Sequence, residues 1–386
     1  MRKKRWFLLA VICFFVWAGA IHTEAAPQEE TTTKQEEAAS EEILKEFDFD
    51  EVDRMLSDIF PEESVSFEDL VKTLTDGDFS GFVHLIFSGI RTGTFSVLRD
   101  NREAIVHILV IAMIAAVFVN FSHIFTNRQV AETGFLILYL LLITILLKSF
   151  GIMIDSIDGS LKVLKDFMKV LCPLYFLATA FSTGSTTSVL FYNLMLILIY
   201  MVETVILHII LPMIHVYMMI RILDHLSPEP YLTRFGELLD MIVRWMLKTM
   251  LICVAGINVM QGLISPAMDA VRRSGIQKGL EAIPGIGGAL GGMTDVILSS
   301  VVLIRNGIGA VGAVVCVVIC AVPILQIGMM TLIYKLIAAV AEPVSDKRIV
   351  SCIASTGDGA VLLLKTVYTS AVLFLLTIVV VAAFGV

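Results

Sequence analysis

Hydrophobic runs as long as a bilayer is thick govern what this chain can fold into. They cover residues 104–125, 134–154, 170–181, 189–223, 246–265, 308–341 and 361–384. A hydrocarbon core about 30 Å thick takes roughly 20 apolar residues of α-helix to cross. The expected fold is therefore all-α, a polytopic helical membrane protein with about seven transmembrane helices. Composition agrees: 57% of residues are hydrophobic, against about 45–50% in a soluble domain. Runs 189–223 and 308–341 are too long for one straight crossing, and each carries a central proline, Pro212 and Pro323. Proline removes a helical hydrogen bond, so both are expected to be proline-broken spans.

Charge divides the chain. Residues 24–78 hold 19 Asp/Glu against four Lys/Arg, while the net charge of the whole is −8, so the remainder is basic. The N-terminus shows how such an acidic segment leaves the cytoplasm. Arg2, Lys3, Lys4 and Arg5 precede an apolar stretch at 6–17 and small residues at 18–20 and 23–25, the pattern of an export signal. The expected organisation is a signal peptide at 1–26, a disordered acidic tether at 27–42, an extracytoplasmic helical segment at 43–103, and a polytopic transmembrane domain at 104–386. In the helical segment Leu44, Phe47, Val52, Met55, Leu56 and Ile59 recur at helical spacing. Ser66 with Asp69 three residues later reads as a capping box.

Two amphipathic stretches lie between the runs. Residues 155–169 place Ile157, Leu161, Leu164 and Met168 opposite Lys162, Lys165 and Lys169. Residues 231–245 place Leu232, Phe235, Leu239 and Ile242 opposite Arg234, Glu237, Asp240 and Arg244. Both read as interfacial amphipathic helices, or as faces that dock against another subunit. Residues 283–293 are glycine-rich, and the pairs Gly287/Gly291 and Gly288/Gly292 have the spacing that lets helix backbones approach closely.

Catalytic patterns are missing. There is no His-Glu-x-x-His, no Gly-x-Ser-x-Gly and no Walker A lysine. Thr356-Gly357-Asp358-Gly359 lacks the preceding glycine of an intramembrane aspartyl protease turn, so Asp358 reads as a turn residue before the last span. The acidic exported segment has no cysteine, which argues against a disulfide framework. No metal, cofactor or nucleic-acid partner is implied; the expected surroundings are membrane lipid and other proteins. Ionisable residues at membrane depth carry the functional interest. Glu203, with His208 and His215 seven residues apart, lies in the run containing Pro212, and these with Pro323 are candidate pathway or interface residues. Arg305 lies between two apolar runs, and Lys148 stands near the end of its span, where it can snorkel. An internal echo (Pro212 with Met218-Met219, then Pro323 with Met329-Met330) admits a secondary transporter built from a proline-broken repeat as the alternative reading.

Longer stretches are more particular. Residues 261–312 contain Pro266, Asp269, Arg272 and Arg273, then Leu303-Ile304-Arg305-Asn306-Gly307. With CPLYFLATAFSTGSTTS at 172–188 and AEPVSDKRIVSCI at 341–353, the chain resembles the stage III sporulation protein AE family of endospore-forming bacteria. That resemblance implies a multi-pass subunit of the mother-cell membrane around the forespore. It implies a secretion-like channel complex with other subunits, a separate ATPase among them, and no catalytic residue of its own. Asp269, Arg272, Arg273 and Arg305 become candidate partner-contact residues. Conduit and scaffold are the two roles the resemblance leaves open.

Overall fold

The computed structural model describes the backbone of residues 49–59, 66–75, 128–183, 197–225, 231–280, 289–343 and 345–384, with 106, 110, 113, 114 and 194 besides. Side chains are described in these stretches apart from 58–59, 73–75, 128–132, 176, 179–183, 258–280, 289–301 and 379–384. The expected signal peptide and tether, the glycines Gly287 and Gly288, and nearly all of the run 104–125 lie outside the described residues.

Among the described residues every element is a helix. In chain order they are α1 (Asp50–Ile59), α2 (Phe67–Thr75), α3 (Arg128–Thr183), α4 (Ile197–Asp224), α5 (Thr233–Leu280), α6 (Ala289–Ala341) and α7 (Lys347–Phe384). Helices α1 and α2 form a small hairpin. Its joint is a carboxylate: Asp53 on α1 accepts the Phe67 N–H with one oxygen and the Ser66 hydroxyl, at 3.1 Å, with the other. An acid thus caps α2 from the preceding helix. Ser66 stands at the helix start, and the Asp53 carboxylate caps the Phe67 amide there. The Phe49 and Phe67 rings lie 5.9 Å apart behind the joint. The hairpin is too small to bury a core alone; α1 packs on α3 and α2 on α6.

Helix α3 runs 56 residues without interruption, about 84 Å at 1.5 Å per residue. The sequence expectation of two runs separated by an interfacial helix is corrected here. Tyr139, Leu142, Leu146, Phe150, Met153, Ile157, Leu161, Leu164, Met168 and Leu171 are all buried along one side. Their spacing of three and four residues keeps one stripe on the core from end to end. Positions 155–169 are part of this one helix, and their apolar face continues the core. Pro173 sits inside the helix with its ring exposed.

The prolines do not break the helices. In α4 a π-helical turn over Ile206–Ile210 comes just before Pro212, with the Leu211 N–H bonded to the Ile206 carbonyl five residues back. The wider turn absorbs the missing donor. Pro323 is buried within the unbroken α6. Pro212 is exposed, so the two prolines that the internal echo equates sit in different surroundings.

The second expected interfacial stretch opens the 48-residue α5. Its core-facing side is Gly236, Leu239, Val243, Leu247, Met250 and Val254, while Leu232 and Phe235 point outward. Asp224, at the end of α4, accepts the Leu232 N–H at 2.8 Å and the Thr233 hydroxyl, repeating at the α4–α5 joint the device seen at α1–α2. At the start of α7, Asp346 accepts the Arg348 N–H at 2.8 Å.

Helix α7 touches α3, α4, α5 and α6, most extensively α6, and is buried almost all round. Small residues make that possible. A Cβ on Gly359 would lie 3.0 Å from both Met218 Sδ and the Phe150 ring, and one on Gly312 of α6 would lie 2.5 Å from Leu171. Among the described residues four helices are long and apolar enough to cross a membrane: Thr133–Tyr175, Ile197–Asp224, Val302–Ala341 and Lys347–Ile378. Of the seven expected runs, 134–154 and 170–181 are one helix, 104–125 lies almost wholly outside the described residues, and 246–265 lies within α5, which is not among these four. The fold is all-α, and its long apolar helices mark a membrane protein.

Candidate functional site

Helix α3 meets its neighbours through a polar contact at four heights. The Tyr139 hydroxyl donates to the Ile222 carbonyl of α4 at 3.2 Å. The Ser149 hydroxyl meets that of Tyr334 on α6, and Ser156 donates to Gln326 Oε1 of α6 at 3.2 Å. Lys165 pairs with Glu203 of α4 at 2.6 Å. Lipid tails are as apolar as leucine, so apolar burial does little to hold membrane helices in register. Directional bonds do that work, and here they fix α4 and α6 antiparallel to α3.

The fourth contact is ionic and closed. Glu203 is 7% exposed and Lys165 19%. Each alone would be a buried charge, unfavourable by several kcal/mol; together they neutralise one another. Sequence reasoning finds Glu203 but not its partner, because Lys165 falls on the charged side of an amphipathic stripe.

The other candidates are dispersed. Arg305 is fully buried on α6, its guanidinium 3.4 Å from Asn306 Oδ1. His215 stands edge-on to the Phe150 ring, centroids 6.5 Å apart, and His208 is exposed. Asp269, Arg272 and Arg273 lie along the second half of α5, and Gly291 and Gly292 near the start of α6. Cys172, Cys316, Cys320 and Cys352 are buried free thiols, and Cys253 is exposed.

A second group of charges escapes sequence reasoning. Asp358 is not a turn residue: it lies inside α7, eleven residues beyond Lys347, and pairs with Lys335 of α6 at 3.1 Å. The signal that finds it is the stripe Ile349, Ile353, Thr356, Ala360, Leu363 and Val367, all buried and spaced three or four apart, which passes straight through Gly357-Asp358-Gly359. Nearby on α5, Asp240 and Arg244 pair at 2.6 Å, and the Asp358 carboxylate of α7 is close enough to act on Arg244 as well. Arg221 of α4 lies 6.0 Å over the Tyr217 ring and against Gly236, where a Cβ would come within 2.8 Å of its side chain. Just beyond α4, His225 bonds Ser355 of α7 at 2.8 Å. Burial, then Arg221, pushes its pKa down, against the opposing pull of Asp224.

These contacts tie helices together. The sequence pattern of the family described as Stage III sporulation protein AE matches residues 65–385. A Bacillus subtilis (strain 168) protein named stage III sporulation protein AE is 22% identical over 293 residues, covering 75% of this chain and 73% of its own length. No solved structure matches the chain. A match over that extent places the protein in a family: the chain belongs to the stage III sporulation protein AE family.

Proposed function

We propose that this chain is a non-enzymatic membrane subunit of the secretion-like channel complex that links mother cell and forespore during sporulation, and that its role there is structural. In this reading it is a multi-pass protein of the mother-cell membrane, its acidic segment faces the space between the membranes, and its partners include further subunits and a separate ATPase. Family membership supports the sporulation role. The observation that carries the structural role is the closed Lys165–Glu203 pair. An ionisable residue lining a path stays open to water, whereas this carboxylate is spent on a neighbouring helix.

The test uses the full chain in sporulating cells. A tagged chain should co-purify with other membrane proteins and an ATPase, and its deletion should lower spore yield. A chain recovered alone, with spore yield intact after deletion, would sink the proposal. Scaffold and conduit separate at Pro323, which is buried. A Pro323→Cys chain should resist a small membrane-impermeant thiol reagent; rapid labelling would establish a conduit instead.

A further inference from the structure

We propose that Pro323 of α6 and Ser370 of α7 enclose a buried water molecule, which accepts the Ser370 hydroxyl and donates to the Ile319 carbonyl. Two polar groups on neighbouring helices point to it. The first follows from covalent structure. Proline has no N–H, so Pro323 deprives the Ile319 carbonyl, four residues back, of the donor that a helix interior supplies. Helix α4 meets the same loss at Pro212 with a π-helical turn. Helix α6 runs α-helical through Pro323, so that remedy is not used there. Serine side chains and ordered waters are the other groups that satisfy a backbone freed by proline within membrane helices.

The second group is the Ser370 hydroxyl. It is fully buried, and among the described residues it has no hydrogen-bond partner. Buried hydroxyls nearby behave differently. Thr331 on α6 and Thr356, Thr366 and Thr377 on α7 each donate to the carbonyl four residues back, at 2.7–3.0 Å. The Ser370 hydroxyl does not turn back in this way. A buried polar atom left over by the protein is unfavourable unless it is bonded, and such atoms are where ordered water sits.

Helix register brings the two groups together. Gly328 of α6 lies against Leu364 of α7, and seven residues along each helix Lys335 of α6 lies against Gly357 of α7. The helices are antiparallel and in step, so Ser370, six residues beyond Leu364, stands level with Val322 and next to Pro323. Both face α3. Pro323 comes eleven residues, about three turns, before Tyr334, whose hydroxyl meets Ser149 of α3. Ser370 comes eleven residues after Gly359, which lies against the Phe150 ring of α3. Buried Pro323 and Ser370 thus converge on the buried stripe of α3 near Leu161. A serine is too short to reach a carbonyl held against the axis of a helix about 8–10 Å away. One water adds a second bond of about 2.8 Å and bridges them. Buried Cys320, beside Ile319, offers its thiol as a weak third contact.

Thermal denaturation of the full chain in detergent, arranged as a double-mutant cycle, tests this. Ser370→Ala should lower the melting temperature by about 2–4 °C, because a bonded hydroxyl is lost. In a Pro323→Ala chain the new N–H reaches the Ile319 carbonyl, and the same replacement should leave the melting temperature unchanged. A Ser370→Ala chain that melts at or above the temperature of the unaltered chain, or an equal loss in both backgrounds, would overturn the proposal. Pulsed X-ray footprinting reads the water itself and needs no altered proline. Radicals formed from a held water should oxidise buried Pro323, and Ser370→Ala should abolish that oxidation. An unoxidised Pro323, or oxidation that persists in Ser370→Ala, would overturn the proposal as well.

Discussion

Lys165 of α3 and Glu203 of α4 meet at 2.6 Å, the carboxylate buried and the lysine part-buried over it. Each residue is stable there because the other is present, so the pair behaves as one unit.

Removing one member should cost far more than removing both. Lys165→Met alone leaves Glu203 buried and uncompensated, a loss of roughly 3–5 kcal/mol. Lys165→Met with Glu203→Leu replaces the pair by apolar volume and should recover most of it. Thermal denaturation in detergent, arranged as a double-mutant cycle, measures the coupling. Equal losses for the single and double variants would show that the pair does not bind the helices.

Gly312→Ala should destabilise by about 1–3 kcal/mol through overpacking, because the new Cβ would come 2.5 Å from Leu171. Combining it with Leu171→Ala relieves the clash, and melting of the double variant should show less than the sum of the single losses.

Acid should loosen the α4–α7 contact at His225. Its folded pKa is pushed below the ordinary 6.5, mainly by burial. Below 6.5 the unfolded chain therefore binds more protons than the folded one, and stability falls as pH drops. His225→Gln should flatten the fall in melting temperature between neutral pH and the acid side of 6.5. An unchanged slope in that variant would remove His225 as its source.

Asp53→Ala should release the start of α2 at a cost of about 1 kcal/mol, the usual worth of a helix cap. Hydrogen exchange at the Phe67 amide should quicken, while amides in α7 keep their protection.

Much of this fold is legible in the amino-acid sequence. The stripe Ile157, Leu161, Leu164 and Met168 reads as one helical face, and Glu203 as an acid at membrane depth. What covers a face is not legible. Periodicity tells which residues point together but not whether core or headgroup meets them, so the middle of α3 passes for a surface helix. Asp358 passes for a turn because Gly-Asp-Gly usually marks one in water. Here those glycines admit Met218, Phe150 and Lys335, which a local reading of the chain does not contain. The closed ion pair is hidden for the same reason: its halves are 38 positions apart, and only the antiparallel crossing of α3 and α4 joins them.

The length of α3 has a mechanical consequence. A continuous helix of some 84 Å moves as one rod, with Pro173 near one end the place where it bends most easily. Its end-to-end ties to α4, α6 and α7 make it a stiff spar, so a tilt imposed at one tip must appear as a sideways swing at the other.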